Sequence, residues 1–213
     1  MDIGIGLSNV FSHFSSHAPD GASLIGVERE ASKGFGEKRL ADFLTGRHCA
    51  RMALMDLGID GGEIPVGEGR QPIWPMGVSG SISHANGLTG AILARREHHP
   101  SLGLDIERRR SVDGTLWKHL FTDADSALLE TLGEDTEEWA TLFFSLKETF
   151  YKLQYPISGR FLDFLDVSLV RMGDGYRVVW KEDIELPDIL DTHRLGYLFT
   201  DGHVVTYGIL KTT

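Results

Sequence analysis

Two acidic residues, Asp105 and Glu107, stand two positions apart in the segment LGLDIER near the middle of the chain. Their apolar neighbours alternate with them, which predicts a β-strand with both carboxylates on one face, about 7 Å apart. Carboxylate oxygens at that spacing can converge on one hard cation such as Mg²⁺. The same pattern also fits the solvent face of an edge strand, so the pair alone does not establish a metal site.

A second set of residues with chemical potential lies in the segment FFSLKETFYK. Helical spacing places Ser145, Glu148 and Lys152 on one side, opposite an apolar stripe. Glu148 and Lys152 are four residues apart, in the order that favours a surface ion pair. The flanking Phe144 and Tyr151 favour a helix face beside a cleft instead. If that cleft brings Glu148 to the acidic pair, three carboxylates form a Mg²⁺ site that takes phosphate oxygens.

Candidate anion-binding residues are concentrated in the first half of the chain. Arg39 and Arg47 lie in a predicted helix, and Arg47 falls within its apolar stripe, so it either extends to the surface or holds an anion. Ser83 and His84 stand in SGSISHANG, where backbone N–H groups could approach a phosphate, although an isolated histidine is more often structural. Arg70, in a glycine-rich loop, is an exposed charge by default.

The helices that position these residues follow from the spacing of apolar side chains. One helix is predicted over residues 36–57, with Gly58 as its stop. A second is predicted over residues 137–153, with Pro156 shortly beyond its end. The second helix carries Glu148 and the first carries the arginines, so the two helices supply opposite charges.

The remaining segments read as strands and turns. An Asn-Gly turn at residues 86–87 joins two extended segments, LGLDIER forms a further strand, and two hairpins complete the chain. A helix followed by strands occurs twice along the chain, and this order predicts an α+β fold of two similar lobes. We place the N-terminal lobe at residues 1–104 and the C-terminal lobe at residues 105–213. Because no linker rich in Pro, Ser or Gly separates them, close contact between the lobes is expected.

Composition limits the classes of function. The chain has 213 residues, a formal net charge of −10 and one cysteine, Cys49. This charge argues against nucleic acid as the main partner, and the single cysteine excludes a disulfide framework and a multi-cysteine metal site. No apolar run of about eighteen residues is present to span a membrane, and no targeting signal is recognised, so a cytoplasmic location is expected.

In their order along the chain, the segments GRHCARMAL, GEGRQPIWP, GSISH, GLDIE and FSLKETFYK resemble the 4′-phosphopantetheinyl transferase superfamily. The resemblance covers about residues 36–172 and is closest to the longer, monomeric form that serves siderophore, polyketide and nonribosomal peptide assembly lines. It implies two lobes in a pseudo-twofold arrangement, with the active site between them. It also implies transfer of the phosphopantetheine arm of coenzyme A to a serine of an apo carrier protein, releasing adenosine 3′,5′-bisphosphate.

The resemblance also implies roles for individual residues. Asp105, Glu107 and Glu148 would hold Mg²⁺, with Mn²⁺ as an alternative. Glu148 would accept the serine proton, directly or through a metal-bound water, and Lys152 would stabilise the transferring or leaving phosphate. The residues that would bind coenzyme A are Arg39, Arg47, Arg70, Ser83, His84, Lys147 and Lys152.

Two other classes of protein share part of these features. One is a catalytically silent module that binds coenzyme A or a carrier protein, and the presence of all three acids and Lys152 argues against it. The other is a metal-dependent hydrolase that cleaves a pyrophosphate without an acceptor, which the sequence leaves open. No motif marks the carrier-docking surface; Arg108, Arg109 and Arg110 are candidates, with a solvated strand end as the alternative.

Overall fold

The computed structural model, which describes residues 3–211, contains two antiparallel sheets that meet edge to edge, each covered by one long helix. The first sheet has the strand order β1-β3-β2. Its strands are β1 (Phe11–Ser15), β2 (Val78–Ala85) and β3 (Leu88–Arg95). The short helix α1 (Val27–Ala31) precedes the long helix α2 (Glu37–Asp56), which packs against β1 and β3. This first lobe holds the predicted arginine-bearing helix within one residue of its predicted ends.

The second sheet has five strands in the order β4-β8-β7-β6-β5. Its strands are β4 (Leu102–Arg108), β5 (Val167–Met172), β6 (Gly175–Trp180), β7 (Arg194–Phe199) and β8 (His203–Ile209). Two short helices, α3 (Trp117–Leu120) and α4 (Asp123–Glu130), lead to the long helix α5 (Thr136–Ser158), which lies against β4 and β8. Within residues 3–211, no helix combines the length and the apolar character needed to cross a bilayer.

The two sheets are joined by side chains rather than by a backbone ladder. β2 and β4 are both edge strands, and they face each other. The Leu104 N–H donates to Ser81 Oγ at 3.0 Å, and the Ile106 N–H donates to Ser83 Oγ at 3.2 Å. Two serine hydroxyls therefore satisfy backbone groups that an edge strand would otherwise leave without a partner.

The predicted α+β fold with two lobes in close contact is confirmed. One apolar cluster contains Ile92 from the first sheet together with Leu104 and Val205 from the second, so the lobes share part of their core. The sheets have three and five strands. What the two lobes share is a long helix packed on an antiparallel sheet. The division predicted between residues 104 and 105 falls inside β4, so a division before Leu102 keeps the second sheet whole.

The end of α5 differs from its prediction. The helix continues to Ser158, and Pro156 lies within its last turn. A proline there removes only the N–H that would bond the carbonyl of Lys152, which a final turn tolerates better than a helix interior. The helix ends at Gly159, which adopts a left-handed backbone with φ of 63°. The glycine, not the proline, is the stop signal.

α5 approaches β4 closely because β4 has a glycine at the crossing. A Cβ atom built on Gly103 would lie 2.1 Å from the carbonyl oxygen of Thr149. The glycine of GLDIE thus allows backbone-to-backbone packing of helix on strand. This contact places Asp105, two residues further along β4, beside the polar side of α5.

The second lobe contains a buried histidine that is held in its neutral form. His193 Nε2 accepts the Val178 N–H at 2.7 Å, and Nδ1 faces the Leu190 carbonyl oxygen at 2.5 Å. Burial lowers the pKa of His193 from 6.5 to about 4. Between these values the unfolded chain binds a proton that the folded chain does not, so stability present above pH 6.5 is lost as the pH falls to 4.

We therefore expect urea unfolding to report a free-energy loss on the order of 3 kcal/mol from this site between pH 7.5 and pH 4. His193→Gln keeps an acceptor for the Val178 N–H and should remove this contribution, so the difference in unfolding free energy between variant and wild type should change by about 3 kcal/mol between the two pH values. His119→Gln, at an exposed histidine, serves as the control and should keep the wild-type slope. Equal slopes in wild type and His193→Gln would contradict the expectation.

Candidate active site

Asp105 is the point at which three elements converge. Its side chain, on β4, is almost completely buried, with 3% of the residue exposed. Oδ1 accepts from Lys152 Nζ at 2.6 Å and from Ser83 Oγ at 3.1 Å, while Oδ2 accepts from Ser145 Oγ at 2.8 Å. The alternative of a solvent-exposed strand face is therefore wrong. The alternative of a surface ion pair between Glu148 and Lys152 is not supported either, since the lysine contacts Asp105.

The two predicted glutamates lie in the electrostatic field of Asp105. Burial raises the pKa of Glu107 to about 7, and the charges of Asp105 and Glu148 add to this effect while Lys152 opposes it. Burial also raises the pKa of Glu148, with Asp105 adding to the rise and Lys152 opposing it. The charge of Asp105 thus acts on both glutamates, and the charge of Glu148 acts on Glu107 as well.

Among residues 3–211, no three His, Cys, Asp or Glu side chains are arranged as a ready-made set of metal ligands. The cation in contact with Asp105 is the Lys152 ammonium. The chemistry of the donors nevertheless suits a hard divalent cation, because carboxylate oxygens are the ligands that Mg²⁺ and Mn²⁺ take. The assignment of Asp105, Glu107 and Glu148 as metal ligands stays a prediction.

A cavity of about 610 Å³ in the first lobe collects the basic residues identified in the sequence. We call it the basic cavity; its charged or titratable lining residues are Arg39, Arg47, Arg70 and His84. Two of its arginines lie over aromatic rings that stand four residues earlier in the chain. Arg39 lies 4.1 Å from the ring centroid of Phe35, and Arg47 lies 4.4 Å from that of Phe43. These stacked contacts restrict the guanidinium groups at the wall of the cavity.

Arg47 is held in the interior of the first lobe, so the alternative that it extends to the surface is wrong. Only 5% of the residue is exposed, and its Nε donates to the Ile64 carbonyl at 3.0 Å. Burial lowers its pKa to about 10, which leaves the guanidinium charged at neutral pH. The fully buried Glu28 lies 4.0 Å from Arg47 Nε and binds Arg51 Nη1 at 2.8 Å.

Glu28 is a residue that sequence reasoning missed. It also accepts the backbone N–H groups of Ile25 and Ile64, both at 3.0 Å, and so ties α1 to the loop that follows α2. Its segment, VEREA, has an unremarkable mixture of charges. The spacing of residues in this segment does not distinguish Glu28 from its exposed neighbour Glu30. Glu28 is buried by residues from distant parts of the chain, such as Arg51 and Ile64.

A second cavity, of about 690 Å³, lies between the lobes, and we call it the interlobe cavity. α5 contributes Glu148 and Lys152 to its wall, and the loop before β2 contributes Arg70 and Trp74. Arg70 lines both cavities, and its φ of 65° marks a tight turn of that loop. The two cavities therefore adjoin at Arg70, and of the three predicted acids Glu148 lines the interlobe cavity.

Two predicted coenzyme A contacts are not supported by the structure. Lys147 is 2% exposed, and its ammonium donates to Asp125 Oδ2 at 2.5 Å and to two backbone carbonyls at 2.9 and 2.8 Å. All three of its donors are used inside the second lobe. Ser83 is buried outside the basic cavity, where its hydroxyl donates to Asp105 and accepts from Lys152 and the Ile106 N–H.

The predicted docking arginines are mostly engaged within the chain. Arg109 pairs with Glu138 at 2.6 Å, and Arg110 pairs with Asp135 at the start of α5. Arg108 is exposed. Two of the three arginines therefore form ion pairs that hold the end of β4 to the start of α5. The cluster does not present three unpaired charges to a carrier protein.

Comparison with known proteins agrees with these features. A model described as the 4′-phosphopantetheinyl transferase N-terminal domain matches residues 28–94, and one described as the 4′-phosphopantetheinyl transferase superfamily matches residues 101–205. The two matches separate just before β4, where the structure divides the lobes.

Curated relatives align with more than half of the chain. The 4′-phosphopantetheinyl transferase Svp of Streptomyces mobaraensis is 35% identical over 164 residues, which cover 75% of this chain and 67% of the relative. The transferase PptT of Mycobacterium tuberculosis is 33% identical, covering 62% and 58%. Enterobactin synthase component D of Escherichia coli is 35% identical, covering 62% and 64%.

The chain thus spans about three fifths to two thirds of the length of these relatives. A solved structure of holo-[acyl-carrier-protein] synthase from Thermotoga maritima matches 53% of this chain and 63% of its own, with 16% identity and a TM-score of 0.41. The two family models and the alignment with Svp carry the assignment. The chain belongs to the 4′-phosphopantetheinyl transferase superfamily.

Proposed function

We propose that this protein transfers 4′-phosphopantetheine from coenzyme A to a serine hydroxyl of an apo carrier protein, releasing adenosine 3′,5′-bisphosphate. The observation that carries the proposal is the junction of the two cavities at Arg70. A ligand with several phosphates could place one phosphate group among the basic residues and another beside Lys152 and Glu148. Coenzyme A, with its diphosphate and its 3′-phosphate, has this distribution of charge.

The basic cavity would bind the donor. Arg39, Arg47 and Arg70 offer planar guanidinium groups that match phosphate oxygens, and His84 adds a further donor at the rim. The fixed position of Arg47, bonded to a backbone carbonyl and stacked on a ring, reduces the ordering cost of binding. His84 Nδ1 lies 3.5 Å from the partly buried carboxylate of Asp42.

The reaction itself would occur beside α5. The serine oxygen of the carrier forms a bond to the phosphorus that bears pantetheine, and the P–O bond to the adenosine portion breaks. Adenosine 3′,5′-bisphosphate leaves with the electron pair, and the serine proton passes to Glu148. Glu148 lines the interlobe cavity next to Lys152, where its carboxylate can take this proton. Lys152 stabilises negative charge on the transferring or leaving phosphate.

Asp105, Glu107 and Glu148 would hold Mg²⁺ or Mn²⁺, which when bound offsets negative charge on the diphosphate. With the metal bound, Lys152 would contact the phosphate instead of Asp105. Its side chain is 28% exposed at the interlobe cavity, so a phosphate in the cavity can reach the ammonium group. Both walls of the cavity come from one chain, which supports a monomer. A cytoplasmic location, where coenzyme A and carrier proteins are both found, completes the proposal.

The test is intact-mass spectrometry of an apo carrier protein incubated with this protein, Mg²⁺ and coenzyme A. We expect the carrier to gain one phosphopantetheine group. Free phosphopantetheine with an unmodified carrier would show a hydrolase instead, and the absence of any reaction across acyl, peptidyl and aryl carriers would show a silent binding module. Either of these results would overturn the proposal.

The stacked arginines give a prediction for donor binding. Phe43→Leu removes the ring 4.4 Å from Arg47 and should raise the KM for coenzyme A about fivefold, with kcat at saturating donor unchanged. Phe199→Leu is a matched control, since Phe199 packs with Arg109 at 5.4 Å away from both cavities. A KM that rises equally in both variants, or in neither, would contradict the role given to Phe43.

A further inference from the structure

Three fully buried hydroxyl groups lie near Asp105, and none of them lines the interlobe cavity. Ser145 and Thr149 come from α5, and Thr206 comes from β8. Thr206 Oγ1 lies 2.8 Å from Ser145 Oγ and 2.6 Å from Thr149 Oγ1. Ser145 Oγ in turn lies 2.8 Å from Asp105 Oδ2. We call Thr149, Thr206 and Ser145 the hydroxyl chain.

The hydrogen bonds of the hydroxyl chain have a direction. An ionised carboxylate only accepts, so the single hydrogen of Ser145 Oγ goes to Asp105. Ser145 Oγ can then only accept from Thr206, whose single hydrogen has two acceptors, Ser145 Oγ at 2.8 Å and the Ser145 carbonyl at 3.0 Å. The Thr149 hydroxyl likewise lies within reach of Thr206 Oγ1 and of the Thr206 carbonyl. The Ser145 hydroxyl therefore supports the negative charge of Asp105, and the Thr206 hydroxyl adds to this support when its hydrogen points to Ser145 Oγ.

Strand register and helix packing fix where the hydroxyl chain lies. Asp105 is directly opposite Thr206 in the pairing of β4 with β8. The close approach of α5 at Gly103 brings Ser145 and Thr149 against the same pair. As a result the two oxygens of Asp105 have different surroundings. Oδ2 is held from the interior by Ser145, while Oδ1 is bonded to Lys152 and Ser83 at the junction of the lobes.

We propose that Ser145 and Thr206 are positioning residues for the Asp105 carboxylate. Ser145 binds Oδ2 directly and Thr206 contacts Ser145, which leaves Oδ1 to Lys152, a residue of the interlobe cavity wall, or to a divalent cation. Outer hydrogen bonds of this kind orient metal ligands and set their affinity. This inference rests on the proposed function for its biological meaning, but its geometry and its test do not require that the transfer reaction occur.

The test measures Mn²⁺ binding to the full chain by electron paramagnetic resonance of the free ion, alongside thermal unfolding. Ser145→Ala should weaken Mn²⁺ binding about tenfold or more. Thr206→Val, which keeps the volume and removes the hydroxyl, should weaken it by a smaller factor. Thr206→Ser, which keeps the hydroxyl, should bind as the wild type does, so this pair separates hydrogen bonding from packing if Ser145→Ala folds poorly.

Thr141→Val is the matched control. Thr141 is a fully buried hydroxyl on the same helix, but it bonds the backbone of Glu137, Ser111 and Val112 instead of Asp105. It should lower the melting temperature without changing the Mn²⁺ affinity. The proposal is overturned if Ser145→Ala and Thr206→Val bind Mn²⁺ as tightly as wild type, or if wild type binds none. Transfer with normal metal affinity in these variants would defeat only this inference, whereas hydroxyl-dependent Mn²⁺ binding without transfer would defeat only the proposed function.

Discussion

Replacing Glu148 with glutamine is expected to lower the rate of carrier modification about 10²-fold to 10⁴-fold, the usual contribution of a general base. The amide has the shape of the carboxylate but cannot take the serine proton. The substitution also removes a negative charge that burial and the neighbouring charge of Asp105 disfavour. The melting temperature should therefore be unchanged or higher. Initial rates from intact-mass spectrometry, measured with the melting curve, give both quantities.

Glu137→Gln is the matched control for this experiment. Glu137 is an exposed residue of the first turn of α5, and its neutralisation should leave the rate at the wild-type level. Retention of normal turnover by Glu148→Gln would remove Glu148 from the reaction. A rate loss accompanied by a large fall in melting temperature would instead give Glu148 a structural role and contradict the expectation.

The second large effect concerns stability. Lys147→Met should cost 3 to 5 kcal/mol of unfolding free energy, roughly the penalty for removing one partner of a buried ion pair. Asp125 has no exposed surface and also accepts the backbone N–H groups of Thr122 and Leu169, so its charge would stay in the interior without the lysine. Urea unfolding with linear extrapolation measures the change.

Adding Asp125→Asn to Lys147→Met should recover part of the loss, because the amide is neutral but still offers an acceptor to the surrounding backbone. Lys147→Met alone should leave the KM for coenzyme A unchanged in whatever fraction is folded. A loss of stability below about 1 kcal/mol together with a higher KM would contradict the structural assignment and restore the predicted contact with coenzyme A.

The elements with strong periodic signals were predictable. α2 begins and ends within a residue of its predicted bounds because its apolar spacing and Gly58 act locally. LGLDIER forms β4 as its alternation indicates. The last two strands flank Asp201-Gly202, a local turn signal that does not depend on the rest of the fold. In each case short-range preference and tertiary packing favour the same conformation.

The roles that depend on distant partners were not predictable from spacing. Lys147 and Lys152 are both lysines on α5, five residues apart, yet one faces the interior of the second lobe and the other faces the interlobe cavity. The partner of Lys147 lies 22 residues earlier, in α4, a helix too short for its apolar pattern to be distinctive. Burial of this kind is set by the packing of several elements, which one segment does not reveal.

The central claim is that the acids of β4 and α5 share one divalent cation beside a basic cavity. Anomalous diffraction at the manganese edge, from crystals of this protein grown with Mn²⁺ and coenzyme A, tests it most directly. The account predicts one manganese peak coordinated by oxygens of Asp105, Glu107 and Glu148, with phosphates of coenzyme A beside Arg39, Arg47 and Arg70. A manganese peak that touches none or only one of these acids, with the nucleotide ordered, would contradict it.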